Sequence, residues 1–157
     1  MTDLHKLFPL QSSIRYYGEN MKLTADMIET YRKNMEILHA VPLATADKNG
    51  LPNVAPMGAV WLENDETFWI CDNFMKKTLA NLNENPQAAL YFWNPESKRC
   101  LQVKCKAEVK TSGDDYKTAH DRMKAKGANY PAKGLIVLHI IDVYECTPGP
   151  KAGQKAE

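Results

Sequence analysis

Lys76, Lys77 and Thr78 open a segment in which Leu79 and Leu82 recur at helical spacing and which must stop near Asn85 and Pro86. Cations are disfavoured in the first turn of a helix, where the macrodipole is positive. An anion would remove that conflict, because free amides, two ammonium groups and the Thr78 hydroxyl together make a compact phosphate cradle. The competing reading is two solvated lysines at a helix start, which cost little at a surface. Asn73, just upstream, is placed to cap this helix.

Two further features suit the same ligand. Pro56, Met57 and Gly58 lie in an otherwise strand-like stretch, residues 53–62, where a central strand would avoid both a missing ladder donor and a missing side chain. They offer backbone contacts and close approach. Gln102 sits on the polar face of a strand and carries an amide that donates and accepts at once, which matches an aromatic heterocycle with adjacent carbonyl and NH groups. Taken alone, Gln102 reads better as a solvated strand residue. Trp61, Trp69 and Trp93 read as core or subunit-interface residues.

Other chemistries lack their residues. There is no GxSxG, HExxH, GxGxxG after a strand, or GxxxxGK[ST] loop. His5, His39, His120 and His139 are scattered, and His139, in the most apolar strand, reads as a hydrogen-bonded structural histidine. Cys71, Cys100, Cys105 and Cys146 have no CxxC spacing and read as small buried hydrophobes; Cys100 and Cys105 point to opposite faces of one strand. No metal site and no catalytic side chain is expected.

The elements that must position these residues follow from the hydrophobic pattern. From Thr24, a candidate N-cap, Ile28, Tyr31, Met35 and Leu38 recur at helical spacing. Strands are predicted over residues 41–46 and 53–62 around an Asp47–Gly50 turn, then over 67–72, 88–93, 100–111 and 134–146. The strand from Cys100 alternates cleanly and has one wet face, while the last is apolar on both faces at its centre. Residues 112–115 resemble a capping box before a third helix that Gly127 ends.

The order α-β-β-β-α-β-β-α-β, with several hairpins, predicts a largely antiparallel six-stranded β-barrel with peripheral helices. The domain is expected over residues 23–147, between an N-terminal extension (1–22), in which Tyr16 and Tyr17 cover an apolar patch, and a flexible tail (148–157).

The 157 residues, 44% apolar and 25% charged, have the composition of one globular domain with a real core. A net charge of +1 leaves no electrostatic footprint for nucleic acid or an anionic membrane. The longest apolar stretch, 134–141, is too short to span a bilayer, and residues 1–20 lack a secretory signal's apolar block. A cytoplasmic protein is expected.

Three stretches together resemble the FMN-binding split β-barrel family, the pyridoxamine 5′-phosphate oxidase-like proteins. They are residues 41–46 with 49–57, residues 70–73 with the Lys-Lys-Thr-Leu-Ala-Asn-Leu run and Glu84-Asn85-Pro86, and Leu101-Gln102-Val103 with 107–109. The resemblance implies a homodimer with two FMN sites at the subunit interface. It implies that Pro56, Met57 and Gly58 run beside the flavin and that Cys71, Asp72 and Asn73 add contacts. Lys76, Lys77 and Thr78 would hold the phosphate, and Gln102 would hydrogen-bond the isoalloxazine edge.

The pattern also departs from the vitamin-oxidising members. Ala55 and Val60 stand where those members carry a phosphate-binding Arg and a Lys, and residues 143–147 lack their substrate-gripping Arg and His. The expectation is a flavoprotein oxidoreductase that does not oxidise vitamin B6, with FMN carrying electrons or hydride to a small molecule or redox protein. The alternative is a non-catalytic module, a carrier or sensor, holding flavin, deazaflavin or haem.

Overall fold

The computed structural model describes residues 20–157. Most of the expected N-terminal extension, with Tyr16 and Tyr17, lies outside the described residues. In chain order the elements are α1 (Ala25–Leu38), β1 (Val41–Ala46), β2 (Pro52–Met57), β3 (Val60–Asn64), β4 (Thr67–Asp72), α2 (Lys77–Glu84), β5 (Gln87–Trp93), β6 (Cys100–Lys110), α3 (Asp114–Lys126) and β7 (Gly134–Glu145).

All seven strands belong to one antiparallel sheet in the order β2-β1-β5-β6-β7-β4-β3. Laid flat, such a sheet would hold its edges about 29 Å apart. Yet Met57 ends one edge strand and Val60 begins the other, so the chain between them spans at most about 11 Å. The sheet must therefore curl until β2 and β3 meet, closing a barrel that is split where they are not laddered together.

This split corrects the sequence expectation of six strands. The single strand expected over residues 53–62 is divided at Gly58 and Ala59, because its first half pairs with β1 and its second half with β4. The crossing is tight. A Cβ on Gly58 would sit 3.4 Å from the His39 carbonyl oxygen, and His39 itself takes a left-handed conformation (φ 59°) to end α1.

The barrel interior is filled by alternating residues of every strand, among them Leu43, Phe68, Ile70, Leu90, Phe92, Leu101, Val103, Ile136 and Leu138. α1 closes one end. Its Tyr31 ring packs edge-on against Phe68 (5.0 Å between centroids) and Phe92 (5.6 Å), and its hydroxyl donates to the Val60 carbonyl at 3.2 Å. Burial pushes that phenol up to about 12.

The inward face of α1 is Met27, Thr30, Tyr31 and Asn34, whereas Leu38 is exposed, so the expected stripe is rotated. Asn34 explains the rotation. Its Nδ2 donates to the Ala40 carbonyl (2.8 Å) and its Oδ1 accepts the Trp93 N–H (2.9 Å), a bridge between helix end and β5 that an apolar residue could not make.

α3 covers the outside of β4 and β7 through Trp69, Ala119, Leu135 and Val137, which is why β7 is apolar on both faces. Arg122 lies over the rings of Trp61 and Trp69 while pairing with Glu63 at 2.8 Å. The expected capping box is absent: Gly113 occupies the N-cap without a side-chain bond, and Asp115 pairs instead with Lys110 at 2.7 Å.

The tail is a second correction. β7 runs on past the end of β4, leaving an unpaired edge, and residues 153–156 fold back onto it. Ala156 donates its N–H to the Val143 carbonyl (2.9 Å) and is buried in the core, while Lys155 reaches Asp142 at 2.6 Å. No helix among the described residues is long and apolar enough to cross a membrane.

Candidate functional site

A cavity of about 470 Å³ opens where β2 crosses to β3, the end of β4 passes beneath and α2 begins. That volume lies within the usual span for small-molecule sites. Its wall includes eight of the ten residues singled out from sequence: Pro56, Met57, Gly58, Cys71, Asn73, Lys76, Lys77 and Thr78. The other two lie elsewhere.

Asp72 points away from this cavity and is buried. Its Oδ1 accepts the Met75 N–H at 2.9 Å, holding the turn between β4 and α2, and its carbonyl accepts the Lys133 N–H at 2.8 Å. Gln102 lies across the sheet, on the outer face of β6 between Tyr91 of β5 and Tyr144 of β7. Asn73 lines the cavity but does not cap α2. It lies three residues before the N-cap position, and its Oδ1 instead accepts the Ala132 N–H at 3.0 Å, tying the turn to the loop before β7.

The N-cap of α2 is Lys76, which makes no side-chain cap bond. The first intrahelical bond runs from the Ala80 N–H to the Lys76 carbonyl (3.0 Å), so the N–H groups of Lys77, Thr78 and Leu79 have no intrahelical acceptor. The first turn holds no acidic residue, and neither Lys76 nor Lys77 makes an ion pair among the described residues. The conflict between basic side chains and the positive helix end is therefore uncompensated among the described residues.

Cys71 forms part of the wall as a packed neutral thiol. Burial, reinforced by the neighbouring Asp72, pushes it up to about 11. Among the described residues the wall thus presents backbone, two cations, hydroxyl and amide groups and apolar side chains, and no carboxylate or imidazole.

Beneath Thr78 lies a polar network that the sequence reading missed. Asn53 Nδ2 donates both to Thr45 Oγ1 (3.2 Å) and to Thr78 Oγ1 (3.1 Å), and Asn81 Nδ2 donates to Thr45 Oγ1 (3.1 Å). The signal was available. Counting outward from the Asp47–Gly50 turn pairs Thr45 with Asn53 on the barrel's inner side, where two polar residues need partners.

The curled antiparallel sheet with β2 and β3 at its split defines a split β-barrel, and the basic helix start walls the cavity at that split. The model of the pyridoxamine 5′-phosphate oxidase family matches residues 27–147, and the chain belongs to that family. A curated relative, an uncharacterized protein of Methanocaldococcus jannaschii, is 37% identical over 142 residues, covering 88% of this chain and 91% of that one.

Among solved structures, HupZ of Group A Streptococcus superposes with a TM-score of 0.68 at 24% identity, over 80% of this chain and 98% of that one. An FMN-binding protein from Syntrophomonas wolfei gives 0.61 at 21%, over 75% and 86%. The same fold appears in HutZ, a heme storage protein of Vibrio cholerae, at 0.59 and 17% over 80% and 95%, and in an F420 reductase at 0.51 and 22% over 69% and 94%.

Proposed function

We propose that the protein is an FMN-binding flavoprotein and that it acts as an oxidoreductase. The observation that carries this reading is the Lys76-Lys77-Thr78 helix start, without an acidic partner among the described residues, walling a cavity otherwise lined by β2, the end of β4 and the turn between β4 and α2. The donor set fits a phosphomonoester: two ammonium groups, three open amides and a hydroxyl all donate, and a phosphate only accepts. Pro56, Met57 and Gly58 would run beside the ring system, and Asn73 would add a contact. When bound, FMN supplies one-electron or hydride transfer. The protein's own part is to bind, orient and leave one face open, with Cys71 held neutral beside it.

A homodimer belongs to this reading. Gln102 cannot reach the cavity of its own chain, so its contact with the isoalloxazine edge would come from a second copy. Val54 and Phe74, which line the cavity, are 68% and 73% exposed, and Leu51, just before β2, is 69% exposed, which suits cover by a partner.

A second reading, storage or carriage of haem or a deazaflavin, draws on HutZ and the F420 reductase sharing the fold. One experiment separates the two. FMN-loaded protein is sedimented with detection of flavin absorbance, then mixed without oxygen with reduced nicotinamide cofactor. Flavin travelling at twice the chain mass and bleaching rapidly is the expected result. Flavin that is not retained, or that is retained without bleaching, contradicts the oxidoreductase.

A further inference from the structure

We infer that Asn53 is a positioning residue that makes the cavity select a phosphorylated ligand over its alcohol, by fixing the Thr78 hydroxyl as a donor. The inference rests on the flavin reading above and adds a residue and a discrimination to it.

The argument is one of counting hydrogens. An amide nitrogen carries two, and both of those on Asn53 Nδ2 are used, on Thr45 Oγ1 and Thr78 Oγ1. Thr45 Oγ1 receives a second bond from Asn81, so Asn53 is held from behind by a residue whose two lone pairs are taken. Thr78 Oγ1 is thereby an acceptor on its inner side. Its own hydrogen has no acceptor among the described residues, although the residue is only 4% exposed and lines the cavity. A buried hydroxyl with an unused donor is costly unless something accepts from it.

The same cavity is walled by Lys76 and Lys77, and the amides that open α2 have no intrahelical acceptor. A ligand end that only accepts satisfies all of them. A primary alcohol offers these donors one neutral oxygen in place of a charged group of several acceptors, so riboflavin should bind far more weakly than its phosphate. A carboxylate at residue 53 would reverse the arrangement, accepting the Thr78 hydrogen and turning it from the cavity.

The test is a double-mutant cycle read by quenching of flavin fluorescence, with FMN and riboflavin each titrated into the parent, Asn53→Ala, Thr78→Val and the double variant. Thermal unfolding of each unliganded protein is recorded alongside. Asn53→Ala is expected to weaken FMN about tenfold and riboflavin less than about twofold. In the Thr78→Val background the same change should cost FMN less than about twofold, because Asn53 acts only through the hydroxyl. Thr78→Ser should bind FMN as the parent does. If Asn53→Ala does not fold, the isosteric Asn53→Asp replaces it, with a larger FMN loss expected.

Losses that add in the double variant, or that are equal for FMN and riboflavin, overturn the inference and leave the flavin reading standing. A parent protein that binds neither flavin overturns both.

Discussion

Lys77→Ala is expected to raise the dissociation constant for FMN about 10- to 150-fold at low salt, the loss of one charge-assisted contact of about 1.5–3 kcal/mol. The physical reason is the position rather than the charge alone. Lys77 is the first helical residue of α2, its ammonium group has no carboxylate partner among the described residues, and the amides beside it lack acceptors. A phosphate there meets donors that are already in place. Because the side chain is exposed, added salt should shrink the difference between parent and variant. Riboflavin, which has no phosphate, should bind parent and variant alike. Isothermal titration with both ligands reads all of this, and equal FMN affinity in the two proteins would remove Lys77 from the phosphate site.

Phe68→Ala is expected to lower the stability of the unliganded protein by about 3–5 kcal/mol, a large share of the roughly 5–15 kcal/mol that holds a domain together. Phe68 is fully buried at the point where α1 seats into the barrel, 5.0 Å from the Tyr31 ring and 6.1 Å from Phe92 between centroids. Truncation leaves a cavity on both sides: the strand face loses its partner in Phe92, and the helix loses the ring on which Tyr31 rests. The midpoint of thermal unfolding should fall by roughly 6–20 °C. A drop under about 1 kcal/mol in a denaturant titration would mean that α1 does not close the barrel through this cluster.

The sheet was legible in the sequence because its signals are local. Alternation along Leu101, Val103, Cys105 and Ala107 set the inner face of β6, and the double-sided apolarity of residues 134–141 anticipated that β7 lies under a helix as well as over the core. The split was not legible. Whether residues 53–62 make one strand or two depends on which distant strands each half pairs with, and Pro56 and Gly58 mark a weak point without saying that the chain crosses there from one sheet edge to the other.

The site divides in the same way. The basic helix start could be read from residue types alone, and the cavity contains it. Asn73 was read as a helix cap and Asp72 was assigned to the ligand by resemblance, but a side-chain oxygen near a helix start can cap the helix, hold its own turn or bind the loop opposite. Here Asp72 holds its own turn and Asn73 binds Ala132, a partner 59 residues away. Gln102 was assigned to the ligand by resemblance, and it lies outside the cavity of its own chain, so that assignment rests on a second copy. The tail looked frayed because Pro, Gly and Lys dominate it, yet the free edge of β7 beyond β4 gives residues 153–156 a ladder to join.

The central claim is that a phosphomonoester docks against the start of α2, at the split of the barrel. The most direct measurement is a crystal structure of the protein grown with FMN. The expected density places phosphate oxygens within hydrogen-bond distance of Lys77, Thr78 and the first amides of α2, with the ring system along Pro56, Met57 and Gly58. Density for FMN at another surface, or a crystal in which packed side chains fill this cavity despite excess ligand, would contradict it.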